Sequence, residues 1–339
     1  MIRFAVAIEQ LMLIAVRLLL PESALGHLVF VNKIPKPNHI IFLILNFKFY
    51  LFLCLIFFTA CSEKNDNNKQ VDANGLLSYQ LTHDEISRSY SLYVPENYIP
   101  EKPASLLFNF HGGGSDGLGH FYVSDMRSIA DTANVILVYP DGYYGVWNSS
   151  FPSNPATKNT TDDFGFISKM INEISSEFNI NTLRIYATGF SNGGDMSYAL
   201  ANILSDKFAA VAPVAGLADR HTAQNSNPSA TAVLSIHGTQ DSDRPYFSGL
   251  DGYYFTIDEM LSYWRLKNNC DPEPTIESFT SDGNTVELLV SKNCRSGTSV
   301  DHYKVINGGH YWLNIERDNS STNEIIWNFL SRFNLNGLR

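Results

Sequence analysis

The sequence predicts one α/β domain built on a doubly wound, mostly parallel sheet. Three observations predict it. Short apolar runs alternate with amphipathic segments over about 260 residues. Several of those runs are apolar throughout, the pattern of strands buried on both faces. Glycine-rich turns follow four of them, where ligands collect in sheets of this kind. The chain has 339 residues, 44% hydrophobic and 17% charged, enough for one core of ordinary size plus an additional segment.

The additional segment is at the front. From Ile40 to Ala60 the sequence is nearly all apolar, with Lys48 its one charge, and it ends at Phe58-Thr59-Ala60-Cys61 before a polar run from Ser62 to Lys69. An apolar stretch, two small residues and a cysteine resemble a bacterial lipoprotein signal, which makes Cys61 the lipidated mature N-terminus. The competing reading is an uncleaved anchor, because the run is long enough to span a bilayer. Either way the rest is exported, as an outer-membrane or cell-surface lipoprotein or in secreted or periplasmic form. The chain therefore divides into an apolar segment over 1–60, a polar tether over 61–76 and the folded domain over 77–339. The first 39 residues exceed what a signal needs and fit a start site placed upstream of the true one.

Residues 1–60 hold five basic and two acidic side chains, so 19 basic and 32 acidic remain, a formal charge of −13. Such a surface makes nucleic acid and anionic membranes poor partners. Of the four cysteines, Cys54 lies in the apolar segment and Cys61 is the lipid site. Cys270 and Cys294 are left as a pair, and in an oxidising compartment they form one disulfide. No zinc-ligand spacing is present, and neither a metal nor a cofactor is expected.

Taken in order, strands are predicted at Ser89–Val94, Ser105–His111, Asn134–Tyr139, Thr182–Thr188, Phe208–Val214, Ala232–His237 and Val300–Ile306. Helices are predicted at Phe164–Phe178, with Ile167, Met170, Ile171 and Ile174 on one face, at Asp258–Lys267 and at Asn323–Phe333. Asp162 and Asp163 stand where the first of these starts.

The central motif joins the strand ending near Thr188 to a helix with Met196, Leu200 and Ile203 on one face. Gly189-Phe190-Ser191-Asn192-Gly193 lies between them. A serine on so sharp a turn takes a strained backbone, and its flanking glycines let strand and helix approach. Ser191 is the candidate nucleophile, and the Asn192 amide at the helix start is half of an oxyanion hole. The run His111-Gly112-Gly113-Gly114 offers the second amide, from Gly113 or from its close competitor Gly114. His111 reads as a structural residue of that loop. After the Ala232 strand, Asp241 is the candidate acid that holds an imidazole tautomer. Asp243 is an alternative, but its neighbour Arg244 makes a surface ion pair the simpler expectation. After the last strand, His310 follows Gly308-Gly309 as candidate base and completes the order Ser, Asp, His.

Together GFSNGG, HGGGS, HGTQDSDRPY and GGHYW, with TTDDFGFISKMI and NNC, resemble the esterase family that groups polyhydroxybutyrate depolymerase-like enzymes with carbohydrate esterase family one. That family includes feruloyl and acetylxylan esterases. The resemblance spans about Leu77 to Phe329 and implies an α/β-hydrolase fold. It implies Ser191, Asp241 and His310 as the triad and a Cys270–Cys294 bridge. There are departures: Asp195 stands where methionine is common, and Leu313 and Asn314 replace a proline and a glycine.

The resemblance implies a serine esterase acting on feruloyl or acetyl esters of plant polysaccharide. A polyhydroxyalkanoate depolymerase is the runner-up, and a non-catalytic glycan-binding surface lipoprotein is the alternative of a different class. Aromatic side chains near the candidate loops can stack on a sugar or a phenolic acyl group, and Trp147 and Trp312 are the candidate contacts. The acyl group, the alcohol and the oligomeric state are not readable from the sequence.

Overall fold

The computed structural model describes residues 71–152 and 159–339. The apolar run over 40–60 and the lipidation candidate Cys61 lie outside the described residues. In chain order the larger elements are β1 (Leu76–His83), β2 (Ile86–Tyr93), β3 (Ala104–Phe110), α1 (Gly117–Val123), α2 (Arg127–Ala133), β4 (Val135–Pro140), α3 (Asp163–Glu177), β5 (Ile180–Phe190), α4 (Asn192–Ile203), β6 (Ala210–Val214), α5 (Arg220–Gln224) and β7 (Ala232–Gly238). They continue with α6 (Ile257–Lys267), β8 (Thr275–Ser281), β9 (Asn284–Ser291), β10 (Val300–Val305) and α7 (Thr322–Leu330).

Ten strands form one sheet in the order β1-β2-β4-β3-β5-β6-β7-β10-β9-β8. The six from β4 to β10 run parallel, and an antiparallel pair closes each edge. Every residue of β3, β4, β6 and β7 is buried, as apolar runs covered on both faces must be. Alternate side chains of β3 and β4 feed two separate cores. Leu106, Phe108, Ile136 and Val138 pack with α3, α4 and α6 on one face; Leu107, Val135, Leu137 and Tyr139 pack with α1, α2 and α7 on the other. This is the doubly wound α/β-hydrolase arrangement that the motifs imply.

Each expected strand is present within a few residues of its predicted bounds, and so are the three expected helices. Capping explains their starts. The Asp162 side chain accepts from Gly165 N to open α3, and Thr256 with Glu259, and Ser321 with Glu324, form capping boxes on α6 and α7. Five features go beyond the expectation: β1, α1, α2, α5 and the β8–β9 hairpin. Helix α5 has five residues and α1 and α2 only seven each, and α1 carries two glycines. Gly117 is required because a Cβ there would lie 2.4 Å from Tyr139 O. The expected bridge is present: Cys270 and Cys294 are bonded at 2.03 Å and tie the end of α6 to the segment after β9.

Candidate active site

Ser191 sits between β5 and α4 with φ +54° and ψ −118°, a conformation that L-residues enter only under constraint. The constraint is the turn itself. A Cβ at Gly193 would lie 2.1 Å from Phe110 O, and one at Gly189 2.6 Å from Gly193 O, so no larger residue lets the strand reverse into the helix here. Ser191 N–H donates to Val214 O at 3.0 Å, which pins the elbow to the neighbouring strand.

Two more loops meet above it. A Cβ at Gly238 would lie 2.2 Å from Gly308 O, so the segment leaving β7 and the one leaving β10 press backbone to backbone. Gln240 N–H donates to Gly308 O at 2.8 Å and Asn307 N–H to Thr239 Oγ1 at 2.9 Å. These contacts bring Asp241 and His310 together: His310 Nδ1 lies 2.8 Å from Asp241 Oδ2, and His310 Nε2 lies 2.8 Å from Ser191 Oγ.

The Asp241 side chain is wholly buried, which by itself raises a carboxyl pKa. Hydrogen bonds from His237, His310 and Arg244 N–H outweigh burial and hold it well below the usual carboxylate range. An ionised carboxylate only accepts, so Nδ1 carries the imidazole proton and Nε2 is left to accept from the Ser191 hydroxyl. The second Asp241 oxygen is occupied by Asp243 N–H at 2.9 Å and Arg244 N–H at 2.7 Å.

The glycine loop after β3 lies against the elbow: a Cβ at Gly112 would be 3.5 Å from Ser191 Cβ. Gly114 N–H is taken by Gly145 O at 2.8 Å, whereas Gly113 N–H and Asn192 N–H have no acceptor among the described residues. Of the two competing glycines, Gly114 thus has its amide engaged within the protein and Gly113 does not. His111 is buried and structural, its Nδ1 2.7 Å from Gly112 O and its Nε2 accepting from Gly142 N–H at 2.8 Å. Burial lowers its pKa.

Two expectations need correction. Trp147 is not a surface for ligand, being 1% exposed. Its indole N–H donates to His111 O at 3.1 Å and its ring stands edge-on to Phe110. The Asn192 side chain grips its backbone, accepting from Trp147 N–H at 2.7 Å and donating to Trp147 O at 3.2 Å. Trp147 is therefore packed beneath the glycine loop that follows β3. Arg244 does not pair with Asp243 on the surface. It is buried and paired with Asp195, while Asp243 is exposed, its Oδ2 3.9 Å from His310 Nε2.

Trp312 is partly exposed and packs edge-on against His120. More open aromatic surface comes from Tyr144, Phe247 and Tyr311. The side chain of His237, whose Nε2 lies 3.4 Å from Asp241 Oδ2, has no separate signal in the sequence, because it reads simply as the end of a strand. Among the described residues one group of three metal-donor side chains converges, His83 and Asp84 at the β1–β2 turn with Asp162 at the start of α3, and it shares no residue with this constellation.

No protein-family model matches the sequence. Among curated proteins the chain is similar to a bifunctional acetylxylan esterase/xylanase of Neocallimastix patriciarum, 26% identical over 252 residues, covering 74% of this chain and 34% of that protein. It is 27% identical over 260 residues to feruloyl esterase B of Piromyces equi, covering 73% of this chain and 46% of that one. With feruloyl esterase C of Emericella nidulans it shares 27% over 250 residues, covering 71% and 83%. The chain thus spans about a third and just under half of the first two relatives. Among solved structures, an acetyl xylan esterase from Aspergillus awamori superposes with a TM-score of 0.55 at 16% identity, covering 75% of this chain and 98% of that one. The feruloyl esterase module of Clostridium thermocellum, in complex with sinapinate, gives 0.50 at 15% identity, covering 79% and 91%. The family resemblance read from the motifs agrees with these relatives, and the structural neighbours share the α/β-hydrolase fold.

Proposed function

We propose that the chain is a serine-dependent carboxylic ester hydrolase working through an acyl-enzyme, with feruloyl or acetyl esters of plant polysaccharide as its substrate class. The observation that carries this reading is one imidazole bridging a strained serine and an ionised buried aspartate, at 2.8 Å on each side. Ser191 Oγ attacks the ester carbonyl carbon as its proton passes to His310 Nε2. The carbonyl oxygen becomes an oxyanion facing the N–H groups of Asn192 and Gly113, both without another acceptor among the described residues. Collapse breaks the ester bond, and His310 returns its proton to the leaving alcohol. Water, deprotonated by the same nitrogen, then releases the acid and restores the hydroxyl. Asp241 stays ionised throughout and stabilises the imidazolium. The named activities of the curated relatives support the ester class. The chemistry of the site uses no cofactor.

The test is hydrolysis of p-nitrophenyl acetate, then of methyl ferulate, acetylated xylan and hydroxybutyrate oligomers. Activity lost in Ser191→Ala and greatest on the first two of the three further substrates is expected. A rate equal in wild type and Ser191→Ala would sink the reading and leave glycan binding as the better account.

The disulfide and the apolar segment before Cys61 support export by way of a lipid anchor. Cys61→Ser is expected to move the protein from the membrane to the soluble fraction; continued membrane retention would point to an uncleaved span.

A further inference from the structure

We infer that the buried Asp195–Arg244 ion pair is a positioning device that fixes the acid loop against the nucleophile-bearing helix, an inference that rests on the esterase reading above. Asp195 is 1% and Arg244 9% exposed. The guanidinium forks onto the carboxylate, Nη2 2.8 Å and Nε 3.2 Å from Oδ2. Both ends are anchored at the reaction centre. Asp195 lies in the first turn of α4, where its N–H donates to Ser191 O at 2.9 Å, and its Oδ1 accepts from Leu217 N–H at 2.7 Å. Arg244 holds Asp241 through its main chain: its N–H donates to Asp241 Oδ1 at 2.7 Å and its C=O faces His237 Nε2 at 2.8 Å.

The path from nucleophile to acid is therefore continuous, running from Ser191 through α4 to Asp195, across the ion pair to Arg244, and through the Arg244 amide to Asp241. It bypasses His310 altogether. Stability alone does not account for such a pair, because taking two charges out of water offsets most of their attraction, and apolar replacements of similar volume are often neutral or stabilising. What an apolar pair lacks is direction. A planar fork on a carboxylate fixes both the distance and the angle between two elements. Here it fixes the plane of Asp241, which gives Oδ1 to the loop amides and Oδ2 to His310 Nδ1.

The test replaces the pair by packing, in Asp195→Met/Arg244→Leu. The thermal midpoint is expected to hold or rise, while kcat on p-nitrophenyl acetate falls about tenfold or more and KM stays within about twofold. A folded double variant with wild-type kcat overturns the inference. Should that variant fail to fold, Arg244→Lys keeps the charge without the fork: a lowered kcat at unchanged KM is expected, and an unchanged kcat overturns it. A readout independent of turnover is the low-field proton resonance of the His310 Nδ1–H bond to Asp241, assigned by its loss in Asp241→Asn. It should weaken or shift in the pair variants, and its retention unchanged overturns the inference. Failure of the esterase reading shows elsewhere, as equal rates in wild type and Ser191→Ala.

Discussion

Ser191 holds a backbone conformation that its side chain disfavours, and two neighbouring glycines make that conformation the one the turn allows. The strain places a hydroxyl; in the proposed mechanism the charge that supports its attack comes from Asp241, reached through His310. Replacing Asp241 by Asn tests that division directly. An amide donates where the carboxylate accepts, so the imidazole turns to its other tautomer and Nε2 no longer accepts from Ser191. A drop in kcat of about 10³–10⁴, with KM little changed, is expected from steady-state kinetics on p-nitrophenyl acetate. The three side chains are legible in the sequence because each stands in a glycine-rich turn after an apolar run. Trp147 misleads because an aromatic residue in such a turn looks the same whether its ring faces solvent or the core. Arg244 misleads because sequence neighbours invite pairing, and its actual partner, Asp195, is 49 positions away.

Among the elements, the buried parallel strands are legible from continuous apolar runs, and β8 is not, because most of its residues are exposed and polar. The helices α1 and α2 are held by packing on the sheet, with few residues of their own to show a period. A further consequence belongs to β10. Asp301 in this strand is buried, which raises its pKa to about 6 despite hydrogen bonding from Ser299 and the Arg332 guanidinium 3.7 Å away. Its folded pKa lies above the unfolded value, so its contribution is fully present below about pH 4 and is lost as pH rises through 6. A rise from the ordinary 3.8 to about 6 is worth about 3 kcal/mol at most. Asp301→Asn should accordingly raise the thermal midpoint relative to wild type at pH 8 and do so less at pH 4. A difference independent of pH, measured by thermal denaturation at both values, would show that Asp301 does not titrate in this range.

For the whole molecule, the fold class is legible from the alternation of strands and helices, since a doubly wound sheet is the arrangement that buries both faces of several apolar strands at once. Strand β1 and the β8–β9 hairpin escape notice because they are half-solvated and carry mixed residues. The acidic balance of residues 61–339, 19 basic against 32 acidic, adds an expectation about substrates. Esters whose alcohol carries a carboxylate are repelled over the range of the ionic atmosphere, while neutral esters are not. KM for an acidic ester should fall as salt rises from about 10 to about 200 mM, with KM for a neutral one unchanged; parallel behaviour of the two in initial-rate assays would exclude long-range repulsion.

The contact between Gly238 and Gly308, where a single added carbon would lie 2.2 Å from a carbonyl oxygen, also bears on redesign. The segments leaving β7 and β10 behave as one welded part, and an insertion near either glycine parts the imidazole from its carboxylate. Changes of side chain alone, as at the exposed Tyr144 and Phe247, leave the weld untouched.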